Sequence, residues 1–293
     1  MLFSLDAPKS IGLIVKAGYD FPASLEQTFT QWNLDLHIIR ENDRPSARGR
    51  ILYGEDASDR KYQRLTPPMP STVEDIETLG MTAAACFHFF DTQSAIYHQT
   101  TYITGLAVRQ GMRLRPWYIW EPQAKSCSPA TFEEHKFVLE QVDVFSPNHA
   151  ELAAFFTNPT SSAVVFDKGT IEQQAREFLP SRIPHPLCIL IRCAEHGCFV
   201  LWATPWGEEK TAWLPPYHLP GSTSVVDTTG AGNAFLGGVA MGYLEHADFI
   251  KAAAYGSVAA SFAVETVGLP DIQKCGVKAR LEDYVSRLGM ALG

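Results

Sequence analysis

Val226-Asp227-Thr228-Thr229-Gly230-Ala231-Gly232-Asn233-Ala234-Phe235-Leu236-Gly237-Gly238 is the stretch on which the reading of this chain turns. A short β-like run, Ser224 to Val226, leads into it, and an apolar helical stretch follows through Tyr243 and Leu244. Strand, glycine turn and helix start, in that order, build a site for an anion. The first turn of a helix leaves N–H groups without intrahelical acceptors, and the aligned peptide dipoles add partial positive charge there. Glycines let a phosphate approach the backbone closely. The plain alternative is a glycine-rich turn that holds no ligand.

Outward from this stretch the chain alternates between strand and helix patterns. Ser10 to Val15, Leu36 to Arg40, Ala84 to Phe90, Trp117 to Trp120, Asp143 to Ser146, Leu187 to Arg192 and Cys198 to Trp202 read as strands. Phe21 to Trp32, Ser94 to Gln110, Thr131 to Gln141, His149 to Phe156 and Ile171 to Leu179 read as helices. Such alternation predicts a parallel sheet with helices on both faces. In sheets of that kind ligands bind beyond the carboxyl ends of the strands. The segments after Trp120, Ser146, Arg192 and Val226 are therefore expected on one rim. Residues 41–70 are charged and proline-rich and read as an excursion from the main domain.

Composition sets limits on function. The chain has 293 residues, 46% hydrophobic and 19% charged, which suits a globular α/β protein. A net charge of −8 gives nucleic-acid binding no electrostatic support. No apolar run approaches the roughly 20 residues that span a bilayer, and the first residues lack the features of a signal peptide. The six cysteines, Cys86, Cys127, Cys188, Cys193, Cys198 and Cys275, show no metal-ligand spacing and read as buried free thiols of a cytoplasmic protein.

The run Asp227-Thr228-Thr229-Gly230-Ala231-Gly232-Asn233 resembles the signature of the PfkB, or ribokinase-like, family of sugar and nucleoside kinases, and the Gly-x-Gly-Asn-x-Phe-Leu-Gly-Gly pattern from Gly230 to Gly238 resembles its fungal Mak32-like branch. The resemblance implies a three-layer α/β/α sandwich with a mostly parallel central sheet and a small, reduced β lid. The implied division is core at 1–35, lid excursion at 36–70 and core again at 71–293. It implies ATP and Mg²⁺ as cofactors, K⁺ beside Asp227, and a small-molecule substrate phosphorylated on a hydroxyl. Gly230, Ala231 and Gly232 would form the anion hole for the transferring phosphoryl group. Asn233 stands where the family carries its catalytic Asp.

Four further groups carry a plain reading beside the implied one. Asn148-His149-Ala150-Glu151 reads as a capped helix start, and the family ties this Asn-x-x-Glu to its magnesium network, with Glu151 acting through water. Arg192-Cys193-Ala194-Glu195-His196-Gly197 reads as a tight hairpin turn, and it occupies the family's nucleotide loop. There Arg192 replaces Thr, Ala194 replaces Gly, and Gly197 is kept. Gly256 and Ser257 lie in a helix rich in small residues, which the family uses as one wall of the adenine pocket. Arg48 and Arg50 read as a solvated basic turn, and the lid would carry them over the substrate.

The family's opening strand and Gly-Gly turn have no counterpart here, which predicts a shortened sheet edge and favours pairing into a homodimer. Asn233 bears on chemistry. An amide can hold a hydroxyl, but it cannot accept its proton as a carboxylate does. Two functions therefore stand: an ATP-dependent kinase with Asn at the base position, or a catalytically silent or repurposed kinase fold that binds a nucleotide or small metabolite.

Overall fold

The computed structural model describes residue 3 and residues 7–53, 60–157, 166–180, 185–270 and 276–290. Cys275 and most of the first six residues lie outside these. The chain divides into two compact units, with the boundary after Ala83.

In the first unit, β1 (Gly12–Gly18) and β2 (Asp35–Glu41) pair in parallel, and α1 (Ala23–Gln31) connects them. β3 (Gly49–Tyr53) and β4 (Arg60–Arg64) pair antiparallel as a separate two-stranded sheet. α2 (Val73–Thr78) begins at a capping box in which Thr72 and Asp75 each accept from the other's backbone N–H. The turn after β1 is pinned by Ser46: its hydroxyl accepts from Gly18 N–H at 3.0 Å, and its N–H donates to Asp20 Oδ1 at 2.7 Å. Any side chain at Gly18 would run into the backbone of residues 44–46, so only glycine fits there.

The second unit is built on one six-stranded sheet. β5 (Cys86–Asp91), β6 (Trp117–Pro122), β7 (Val144–Phe145) and β8 (Leu187–Arg192) are parallel neighbours, and β9 (Cys198–Ala203) and β10 (Glu209–Leu214) continue the sheet antiparallel. Successive residues of β6 show how the layers form. Tyr118 shares a hydrogen bond of 2.9 Å with Thr104 on α3 (Gln93–Arg109). Trp117 stacks at 4.1 Å on Tyr243 of α7 (Ala231–His246). Neighbouring side chains of a strand point to opposite faces, so α3 and α7 cover opposite sides of the sheet. Strands covered on both faces carry long apolar runs, as residues 117–120 of β6 and 187–191 of β8 do.

Trp120 shows how tight the core is. It is fully buried and stacks at 5.0 Å on His135 of α4 (Phe132–Val138), while its indole N–H donates to the Asp91 carbonyl at 2.9 Å. On the opposite face α7 packs on α8 (Phe249–Val264) through glycines. A side chain at Gly238 would stand 2.6 Å from the Tyr255 carbonyl oxygen, and one at Gly256 would stand 2.9 Å from that of Phe235.

The expected strands and helices from Ser10 to Trp202 occur, with their ends moved by a few residues. Ser224 to Val226 does not form a strand. Val226 N–H donates to the carbonyl of Val264, at the last turn of α8, so the segment meets a helix end. The five described cysteines are free thiols, four of them buried, and burial pushes Cys127 and Cys193 up to about 12. Among the described residues no helix is long and apolar enough to cross a membrane.

Candidate functional site

The turn before α7 is held at both ends. Val226 and Asp227 donate their N–H groups to the Val264 carbonyl at 2.8 and 3.1 Å, and Asp227 Oδ1 accepts from Thr229 N–H at 2.9 Å. Gly230 then takes φ +82°, a conformation natural to glycine, and starts the helix. Ala231 N–H turns back to Thr228 and Ala234 N–H to Gly230. The N–H groups between them, on Gly232 and Asn233, have no backbone acceptor among the described residues. Asn233 is exposed on this first turn.

Parallel pairing brings three strand ends to the same rim. Glu121 lies near the end of β6, Ser146 follows β7, and Arg192 ends β8. Arg192 N–H donates to the Pro147 carbonyl at 3.1 Å, which fixes its backbone beside the start of α5 (His149–Ala154). Its guanidinium bridges two carboxylates. Nη1 lies 2.7 Å from Glu121 Oε1, and Nη2 lies 3.4 Å from Glu151 Oε2 and donates to the Ser146 carbonyl at 3.0 Å. The same guanidinium seats against Gly232, where an added methyl would collide with Nη1. The positive end of Arg192 thus lies at the opening turn of α7.

The electrostatics follow from burial and pairing. Burial pushes the Glu121 carboxyl up, but His88, 3.5 Å away, and Arg192 outweigh it, so the group sits below its ordinary value. For Glu151 burial prevails over Arg192 and the Asn148 amide, and Glu121 adds like-charge repulsion, so its carboxyl sits above its ordinary value. One cation between two largely buried carboxylates leaves the cluster short of positive charge.

Asn148 and Glu151 form a complete capping box. Asn148 Oδ1 accepts from Ala150 and Glu151 N–H, both at 2.9 Å, and Glu151 Oε2 accepts from Asn148 N–H at 2.8 Å. Their donor chemistry suits Mg²⁺, and Glu121 Oε2 is buried with no hydrogen-bond partner. The room between the carboxylates, however, holds a guanidinium. These residues do not fit a magnesium ion bound by the protein alone, and among the described residues no group of three His, Cys, Asp or Glu is placed to hold a metal.

The β8–β9 turn is as tight as the sequence allows. Cys193 N–H donates to the Gly197 carbonyl at 2.8 Å, and Gly197 at φ +84° leaves no room for a side chain beside the Leu214 carbonyl. Ala194 keeps a left-handed backbone, φ +48°, at the position where the resemblance has glycine. Gly256 and Ser257 serve packing: Gly256 faces α7, and the buried Ser257 hydroxyl donates to the Ala253 carbonyl at 3.0 Å. Arg48 and Arg50 belong to the first unit, where Arg48 pairs with Asp20, and Arg50 Nε donates to Gln63 Oε1 at 2.7 Å.

Glu121 and His88 went unread in the sequence. The signal was present: an acid and a base, Glu121 and Arg192, each follow directly on a buried apolar run. That they meet follows only from the strand order, in which β7 alone separates β6 from β8.

Comparison with known proteins bears on the fold and the family. An uncharacterised protein of Schizosaccharomyces pombe and protein MAK32 of Saccharomyces cerevisiae are each 28% identical to the chain, covering 89% of it and 73% of their own lengths. The solved structure of Arabidopsis thaliana ribokinase complexed with ribose and ATP superposes with a TM-score of 0.60 at 17% identity, over 92% of this chain and 81% of that one. That likeness shows the fold: a ribokinase-like α/β sandwich with a mostly parallel central sheet. The pattern described as pfkB family carbohydrate kinase matches residues 121–273, from Glu121 of the rim through the α7–α8 pair, and the chain belongs to that family.

Proposed function

We propose that the chain is an ATP-dependent phosphotransferase of the PfkB type, acting on a hydroxyl of a small sugar-like or nucleoside-like metabolite. The observation that carries this reading is the Arg192 guanidinium seated at the first turn of α7, where among the described residues the Gly232 and Asn233 N–H groups have no backbone acceptor. A cation and helix-start amides converging on one corner suit a phosphoryl group. Gly230, Ala231 and Gly232 would face the transferring phosphoryl, and Asn233 would orient the acceptor hydroxyl. The Ala194–Gly197 turn, Gly256 and Ser257 would border the nucleotide. Magnesium would arrive on the phosphates, with Asn148 and Glu151 nearby and K⁺ beside Asp227. The lid role of residues 36–70, with Arg48 and Arg50, a homodimer and a cytoplasmic location belong to the same proposal.

Asn233 favours a second reading, in which nucleotide binds without turnover. Loss of a general base typically costs ~10²–10⁴-fold in rate, so binding can survive where transfer does not. One experiment tests the common core of both readings. Mg·ATP at millimolar concentration should raise the melting temperature by mass action. An unchanged melting temperature would remove any nucleotide role, and a shift without ADP release across a panel of sugars and nucleosides would favour the second reading.

A further inference from the structure

Two carboxylates that face one another across a rim can be bridged by a hard divalent cation, because it supplies two charges and accepts oxygen ligands. Here the bridge is a side chain. Arg192 places one terminal nitrogen on Glu121 and the other toward Glu151, and the second nitrogen also donates to the Ser146 carbonyl. The Arg192 side chain is only 13% exposed, and it rests on Gly232, the one residue type that leaves room for it. A free metal ion entering this space would have to expel the guanidinium and leave it buried without its partners. Asn148 offers no replacement ligand, because its amide oxygen already accepts two backbone N–H groups. On the far side of Glu121, His88 Nε2 stands 3.5 Å from the second carboxylate oxygen, so a side-chain nitrogen flanks this acid on each side.

We propose that Arg192 is the resident cation of this rim, held by Glu121 and Glu151 against Gly232, and that the site for this reason takes up no free divalent metal. The inference starts from the rim identified above, but its test uses no nucleotide. Its failure would leave ATP binding to be judged by the thermal shift alone.

The probe is Mn²⁺, whose free-ion electron paramagnetic resonance signal falls on binding. Wild type should leave the signal of ~0.1 mM Mn²⁺ unreduced, and Arg192→Gln should bind Mn²⁺ at least ~10-fold more tightly, since two carboxylates then lack a counter-charge. Adding Glu121→Gln to that variant should abolish the gain. Should Arg192→Gln not fold unaided, Mn²⁺ should restore its near-ultraviolet circular dichroism. The proposal is overturned if wild type binds Mn²⁺ as tightly as the variant, if the folded variant gains no affinity, or if Mn²⁺ fails to rescue an unfolded one.

Discussion

The guanidinium of Arg192 rests on the Cα of Gly232, so that a methyl placed there would collide with Nη1. The end of a long side chain usually moves aside at little cost. This one is tied to Glu121 at 2.7 Å and to the Ser146 carbonyl at 3.0 Å, so moving it breaks a buried charge pair.

Gly232→Ala is therefore expected to lower stability by ~1–3 kcal/mol. Gly237→Ala, five residues further along α7, should act oppositely. Its added methyl meets nothing within 4 Å, and alanine in a helix interior gains up to ~1 kcal/mol over glycine. Urea unfolding of the two variants measures both, and a loss at position 237 equal to that at 232 would contradict the pinned arginine.

His135 makes stability depend on pH. Its Nδ1 lies 2.8 Å from the Thr131 carbonyl, while Nε2 is buried without a partner among Trp120, Phe145 and Phe155. Burial holds its pKa down to about 4, against 6.5 for a free histidine. The unfolded chain therefore takes up a proton first as pH falls. The contribution is complete above pH 6.5, declines through the interval down to about 4, and amounts to ~3 kcal/mol in all. His135→Phe should flatten this part of the stability–pH curve, as chemical denaturation at pH 7 and pH 5 would reveal.

Ala194 adopts φ +48°, where residues with a side chain are disfavoured. Ala194→Gly should stabilise the protein by up to ~1 kcal/mol. Gly197→Ala in the same turn should destabilise it by ~2–4 kcal/mol, because its methyl would strike the Leu214 carbonyl as well as strain φ. Opposite shifts in melting temperature are the expected result.

Asn233→Asp restores a proton acceptor on the exposed first turn of α7. If only the base is lacking, ATP hydrolysis or transfer should rise by ~10²-fold or more, read as ADP release. An unchanged rate in a variant that still shifts with Mg·ATP would place the deficit in the acceptor pocket as well.

Much of the second unit was legible because its parallel strands are rich in apolar residues and the helices follow at the expected spacing, as residues 117–120 of β6 and Gln93–Arg109 show. The start of α7 could be read from Gly230, whose left-handed backbone is what a glycine at that position announces. Ser224 to Val226 misled because β-branched and small residues look alike in a strand and in a loop anchored by a helix carbonyl. The Glu121–Arg192 bridge stayed hidden for another reason. Its partners are 71 positions apart (192 − 121), and only the order of strands in the sheet makes them neighbours.

Gly238 and Gly256 meet across the two helices with no room for a methyl on either side. Neither position can drift alone over evolutionary time. A lineage that acquires a side chain at one must spread the helix pair or shed bulk opposite, and spreading carries the opening turn of α7 away from the strand ends. Variation at this seam should thus be recorded as paired change in descendants, and the corner that Arg192 occupies depends for its shape on residues it never touches.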